Sequence, residues 1–149
     1  MLFMVEDALG KGALLACGGY IPELEENVPS DTGGMPKMRV WREEIFGPVA
    51  PIATFSGYGE EGERTALKLA NDTEYGLAAY VYTSNHPRFT RMAAGLEFGL
   101  IGYNSGVISN AAAPFGGVKQ SGMGREGGPE GLEEYTELQY IGTPNPFAG

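Results

Sequence analysis

One cysteine, Cys17, and one histidine, His86, leave little room for several kinds of chemistry. A lone cysteine cannot close an internal disulfide, so a reducing, cytoplasmic setting is the simplest expectation. Neither residue has neighbours at zinc-ligand spacing, and no metal is expected. Positive charge is scarce as well: 10 Lys and Arg stand against 19 Asp and Glu, a formal net charge of -9. Such a chain repels phosphate backbones, which argues against nucleic acid as a partner. No apolar run approaches the roughly 20 residues of a membrane span. The opening MLFMVEDALGKG lacks a basic segment and breaks its apolar run at Glu6 and Asp7, unlike a secretory leader.

What is present is an ordinary globular balance. Hydrophobic residues make up 42% and charged residues 19%, which is too apolar for a disordered chain. A length of 149 residues corresponds to about one domain, long enough to bury a core. The 24 glycines have no period and cluster in the second half, which points to tight turns and close backbone approaches.

Along the chain, Leu2 to Gly10 reads as a short amphipathic helix and Ala13 to Cys17 as a strand closed by Gly18 and Gly19. Pro22 to Pro36 is acidic, carries every breaker signal and lacks period-2 alternation. It is expected to be a mobile loop beside a sheet edge left open for docking. Met38 to Trp41 and Val49 to Phe55 read as strands. Glu60 to Ala70 is a helix pattern, with Ala66, Leu67 and Ala70 on one face. Leu77 to Thr83 reads as a strand. Ser84 or Asn85 caps the next helix, with Pro87 in its first turn. Phe89, Met92, Ala93 and Leu96 form its apolar stripe, and Gly95 sits where a left-handed C-cap would be. Leu100 to Tyr103 is a further strand, and Ser105 to Gly124 is irregular. Glu126 to Tyr135 turns helical after Pro129, and Leu138 to Ile141 is a closing strand. Alternating helices and strands argue an α/β fold with at least partly parallel strands.

Two features invite a chemical reading. Gly122 to Gly127 spells G-x-G-x-x-G, but a dinucleotide fingerprint needs a strand directly before it and an acidic residue on a second strand after it. Neither pattern is present, so turn glycines are the better reading. Cys17 closes an apolar strand with nothing to bring His86 near it. A cysteine in that setting is inert core rather than a nucleophile.

The stretch Arg42-Glu43-Glu44-Ile45-Phe46-Gly47-Pro48-Val49 resembles the E-E-I-F-G-P-V signature of aldehyde dehydrogenases. More segments follow in that family's order. Asn71 to Tyr82, NDTEYGLAAYVY, is similar to its N-x-x-x-Y-G-L-A-A segment, and Asn104 stands at its asparagine after a strand. Pro114 to Glu126, PFGGVKQSGMGRE, resembles P-F-G-G-x-K-x-S-G-x-G-R-E almost letter for letter. VEDALGKGALLACGG is similar to the helix-strand-GG unit before these, and Glu134 to Ile141 to the closing strand. The match covers most of the chain; residues 20 to 37 are the exception.

The resemblance implies an incomplete α/β catalytic domain over residues 1–135, with 136–149 as a closing oligomerisation strand and tail. It implies that Glu44 hydrogen-bonds the hydroxyls of the nicotinamide ribose, for which a carboxylate is suited because it accepts two bonds at once. Phe46 would pack near the nicotinamide end, with Gly47 and Pro48 fixing the turn. The loop SGVISNAAAPFGG is most similar to succinate-semialdehyde dehydrogenases. In those enzymes the serine of the I-S-N position, here Ser109, binds the substrate's distal carboxylate; a plain turn serine is the competing reading. The cofactor would be NAD or NADP, bound weakly or not at all by this chain alone.

No catalytic residue is expected here. The family's nucleophilic cysteine, its general-base glutamate and its Rossmann domain all lie upstream of Leu2. The region IPELEENVPSDTGGMPK departs from the family, so one family strand is expected to be replaced by a loop. Self-association as a homo-oligomer is expected through the closing strand. Two readings stand: a C-terminal part of an enzyme oxidising an aldehyde to a carboxylate, or a stand-alone assembly or binding module without enzymatic activity. The reading frame upstream of Met1 separates them.

Overall fold

The computed structural model describes residues 2–15, 37–55 and 58–144. Two units emerge. One runs to Glu74 and includes Thr83–Glu97; the other comprises Tyr75–Tyr82 and the chain from Phe98 on. The expected strand end at Cys17 and the acidic stretch Pro22 to Pro36 lie outside the described residues.

The first unit begins with helix α1, Leu2–Gly10. It ends at Gly12, which takes a left-handed φ of 92° while its N–H donates to the Leu9 carbonyl. Residues 13–15 then form no strand. Ala8 of α1 makes a small core with Met38 and Val40, against which Met4, Ala13 and Ile45 pack.

Met38 to Trp41, expected as a strand, is instead a helical turn, α2, Arg39–Arg42. Two contacts override the β-like pattern. The Asp7 carboxylate accepts from the Arg39 backbone N–H at 2.9 Å. Arg39 also grips Glu43 one turn on, through two bonds of 2.6 and 2.8 Å, the i, i+4 pairing that favours a helix. The strand expected over Val49 to Phe55 does not form either. Pro51 cannot donate to a ladder, and among the described residues no strand pairs with this stretch.

Helices α3, Gly59–Asn71, and α4, His86–Gly95, fall where the apolar periods place them. Asn85 caps α4 by accepting the Arg88 N–H at 2.9 Å, with Pro87 in the first turn. Met92 of the apolar stripe is buried. Gly95 is not the left-handed cap expected of it, because Leu96 leaves the helix in extended conformation. A Cβ at Gly95 would stand 2.8 Å from Leu67 Cδ1, so glycine here admits α3. Asn71 does the capping: its Nδ2 donates to the Gly95 carbonyl at 2.7 Å and its Oδ1 accepts from Glu97 N–H at 3.0 Å. Glu63 of α3 is only 8% exposed. Its carboxylate takes one bond from Arg88 (3.0 Å) and two from Arg91 (2.7 Å each). Those guanidiniums, Arg91 foremost, overcome desolvation and hold its pKa down at about 2.

The second unit contains a parallel pair, β2 (Ala78–Val81) and β3 (Leu100–Tyr103), in register from Ala78↔Leu100 to Val81↔Tyr103. An antiparallel pair joins β1, Tyr75–Gly76, to β4, Val118–Lys119. The expected final helix contracts to α5, Glu130–Glu133. The strand expected over Leu138 to Ile141 does not form: these residues belong to no helix or strand. Leu138 and Tyr140 are fully exposed there, since a strand needs a partner and the described residues offer none.

Asn71→Ala leaves the Gly95 carbonyl and the Glu97 N–H without this clasp and should cost about 1–3 kcal/mol by urea unfolding. Asn71→Asp, which keeps only the acceptor, should fall between the two. Glu63 titrates lower folded than its ordinary 4.5. Its charge therefore stabilises fully above that pH and loses this effect as pH falls toward about 2. Glu63→Gln should lower the urea midpoint at neutral pH, and the gap to the parent should narrow through the acid range. A gap independent of pH would refute this role.

Candidate functional site

In the first unit, the segment after α2 alternates. Ile45 turns inward onto the Ala8–Met38–Val40 core, while its neighbours Glu44 and Phe46 are exposed, Phe46 by 94%. The two adjacent glutamates have separate fates. Both oxygens of Glu43 are held by Arg39, whose hydrogen bonds keep its pKa below the usual carboxylate value. Glu44 makes no hydrogen bond or ion pair among the described residues, so both its oxygens stay available to a ligand. The chain then folds tightly: Gly47 N–H donates to the Ile45 carbonyl and Val49 N–H to Gly47, each at 2.9 Å. Such consecutive three-residue turns fix the direction of Phe46. Upstream, Arg42 clasps Asp72 through bonds of 3.0 and 2.9 Å and so ties α2 to the end of α3.

Ser109 lies in the second unit, exposed, on the 105–113 loop. Its hydroxyl has no partner among the described residues. The structure thus presents Glu44 with Phe46 on one segment and Ser109 on another unit.

The P-F-G-G…G-R-E segment is a self-locked loop. Phe115 and Glu126 exchange backbone bonds of 2.6 and 2.7 Å. Arg125 Nη1 donates to the carbonyls of Gly117 (2.8 Å) and Gly124 (2.6 Å), and the Ser121 hydroxyl accepts the Gly76 N–H at 2.9 Å. Gly122, Gly124 and Gly127 all take left-handed φ, at 121°, 80° and 67°. They are turn glycines, and β4 before them is two residues long and antiparallel, so the geometry of a dinucleotide fingerprint is absent. Arg125, to which sequence reasoning gave no role, lines a cavity of about 680 Å³ with Leu77, Phe115, Leu132 and Tyr135. Its flanking glycines were the only signal. None of Glu44, Phe46 or Ser109 lines that cavity.

His86 opens α4 and its ring lies 6.1 Å from that of Phe89. Cys17 is outside the described residues. Among the described residues no group of three or more His, Cys, Asp and Glu could hold a metal, and no helix is long and apolar enough to cross a membrane.

The aldehyde dehydrogenase family model matches residues 1–141. The chain is 48% identical over 153 residues to a succinate-semialdehyde dehydrogenase of Paenarthrobacter nicotinovorans, covering 97% of this chain and 32% of that one. It is 44% identical over 146 residues to the NADP(+) succinate-semialdehyde dehydrogenase of Escherichia coli K12, covering 92% and 28%. The crystal structure of succinate-semialdehyde dehydrogenase from Burkholderia pseudomallei superposes with a TM-score of 0.74 at 47% identity, covering 89% of this chain and 27% of that one. The chain thus spans about a quarter to a third of the length of the proteins it matches.

If Glu44 and Phe46 serve a ligand rather than the fold, removing them should not matter to folding. Glu44→Gln and Phe46→Ala should each change unfolding free energy by no more than about 0.5 kcal/mol. Ile45→Ala, which strips a half-buried side chain from the core, should cost at least about 1 kcal/mol. A Phe46→Ala loss as large as that of Ile45→Ala in urea titrations would give Phe46 a packing role instead.

Proposed function

The chain belongs to the aldehyde dehydrogenase family, and from that premise we propose that it is the C-terminal part of an NAD(P)-dependent enzyme oxidising a carboxylate-bearing aldehyde, of the succinate-semialdehyde type. The observation that carries the proposal is the split between neighbouring glutamates. Glu43 is consumed by Arg39, while Glu44 has no partner among the described residues and Phe46 is exposed, on a segment pinned by Ile45. A free carboxylate two residues from an exposed ring suits a ribose diol next to a flat heteroaromatic group. Glu44 would hold the nicotinamide ribose hydroxyls and Phe46 would flank the ring. When bound, the nicotinamide takes up the hydride that leaves the substrate. Ser109 would donate one hydrogen bond to the substrate's far carboxylate, supplying orientation without charge.

The nucleophilic cysteine, the water-activating glutamate and the pyrophosphate site are assigned to the remainder of such an enzyme. This chain by itself is then inactive and a poor cofactor binder. Self-association is part of the proposal and is supported by the exposed Tyr135, Leu138, Tyr140 and Ile141 near the end of the described chain. The same exposed residues favour the alternative, a stand-alone assembly or binding module derived from the family.

Purified 149-residue chain, supplied with succinate semialdehyde and either NAD or NADP, is expected to reduce no cofactor above a buffer blank. Reduction that disappears in Cys17→Ser would overturn this. In an intact enzyme carrying the segment, Glu44→Gln should raise the cofactor KM by about tenfold or more, the loss of charged hydrogen bonds. An unchanged cofactor KM there would remove Glu44 from the site.

A further inference from the structure

Residues Ser105–Ala113 form no helix or strand, yet the segment is tied down along its length. It leaves β3 through Asn104, whose φ is 47° and whose N–H donates to the Val81 carbonyl at 3.0 Å. The Ser105 hydroxyl donates to the Val107 carbonyl (2.8 Å) and accepts the Val107 N–H (3.3 Å). At the far end, Asn110 Oδ1 accepts from Ala112 N–H at 3.0 Å, and the Ala111 carbonyl accepts from Gly128 N–H at 3.2 Å. Between these ties Ile108 is held by shape. Gly102, buried in β3, pairs with Tyr80 across the strands. A Cβ at Gly102 would stand 2.7 Å from Ile108 Cγ2 and 2.7 Å from Tyr80 Cδ1. The volume over Gly102 is therefore filled from two sides. Neither filler yields easily: Cγ2 branches directly from Cβ and is stiff at χ1, and Cδ1 belongs to a rigid ring.

We infer that Gly102 and Ile108 are a positioning pair: the notch at Gly102 receives the Ile108 methyl and so sets where the next residue, Ser109, holds its hydroxyl. The inference rests on the reading of Ser109 as the contact to a substrate carboxylate. An O–H···O bond works only over about 2.5–3.0 Å, and a displacement of about 1 Å can cost up to two orders of magnitude. Any side chain at position 102 pushes Ile108 out of the notch and carries Ser109 with it. Selectivity for an anionic aldehyde then depends on a residue that never touches the substrate.

The test compares succinate semialdehyde with butanal, an aldehyde of the same carbon count without the carboxylate, in an intact enzyme carrying this segment. Gly102→Ala is expected to raise the KM for succinate semialdehyde about tenfold, with kcat within about twofold and the butanal kinetics and cofactor KM unchanged. Ile108→Ala should act in the same direction. The double variant should be no worse than the worse single, because both break one contact. Equal losses for both aldehydes, or additive effects, would overturn the pairing. Ser109→Ala separates the two claims. If it impairs succinate semialdehyde while Gly102→Ala does not, the positioning inference fails and the reading of Ser109 stands. If Ser109→Ala has no effect, that reading fails, and the 149-residue chain decides the pairing alone by amide NMR. Shifts at residues 107–110 in both Gly102→Ala and Ile108→Ala would support it; shifts confined to β2 and β3 would overturn it.

Discussion

Burial is in short supply among the described residues, and most of their other features follow from that. No described side chain is below 2% exposure, and the buried apolar residues are Ala8, Met38, Val40 and Met92. At roughly 25 cal/mol per Å², so small a core contributes little. Polar clasps do the remaining work, and they sit where the chain changes direction. Asn71 joins the ends of α3 and α4, Glu63 takes two guanidiniums from α4, and Arg125 ties two glycine carbonyls of its loop. Exposure separates these from ordinary surface pairs. Arg39–Glu43 and Arg42–Asp72 are more than 40% exposed on both sides, where such pairs contribute about 0–1 kcal/mol. Glu63 is 8% exposed, so its two arginines are what allow a carboxylate to be there at all.

Elements whose stability is local were legible in the sequence. The 3.6-residue period of α3 and α4, the Asn85 cap and the Pro87 start specify each helix from within, and β3 falls on Leu100–Tyr103 as read. What sequence misjudged depended on distant partners. Met38 to Trp41 has strand-like alternation but becomes helical because Asp7, 32 residues earlier, accepts its N-terminal amide. Gly95 looks like a left-handed cap because capping by Asn71, 24 residues away, cannot be seen locally. Val49 to Phe55 and Leu138 to Ile141 have β composition but no ladder among the described residues, and composition without a partner makes no strand.

The candidate site was legible only through the family motif, and physical reasoning alone would have passed over it. Two consecutive glutamates give no hint which is free. That is decided by the helical turn at Arg39, which brings its guanidinium one turn forward onto Glu43 and leaves Glu44 without a partner among the described residues. The Arg39–Glu43 contact that helps turn this stretch from the expected strand into α2 thereby sorts the carboxylates, so the misread element and the different fates of the two glutamates have one cause.

Both candidate segments share a construction. Each lacks a ladder, each turns one isoleucine inward, and each exposes the residues on either side: Glu44 and Phe46 about Ile45, Val107 and Ser109 about Ile108. Period-2 alternation normally signals a strand in a sheet, where backbone bonds set the register. Here one half-buried side chain sets it instead. A single peg leaves the flanking side chains facing solvent, which is what a ligand contact needs. The same arrangement makes position sensitive to the hole as much as to the peg. A residue such as Gly102, with no side chain to offer a substrate, can then govern what its neighbours in space bind.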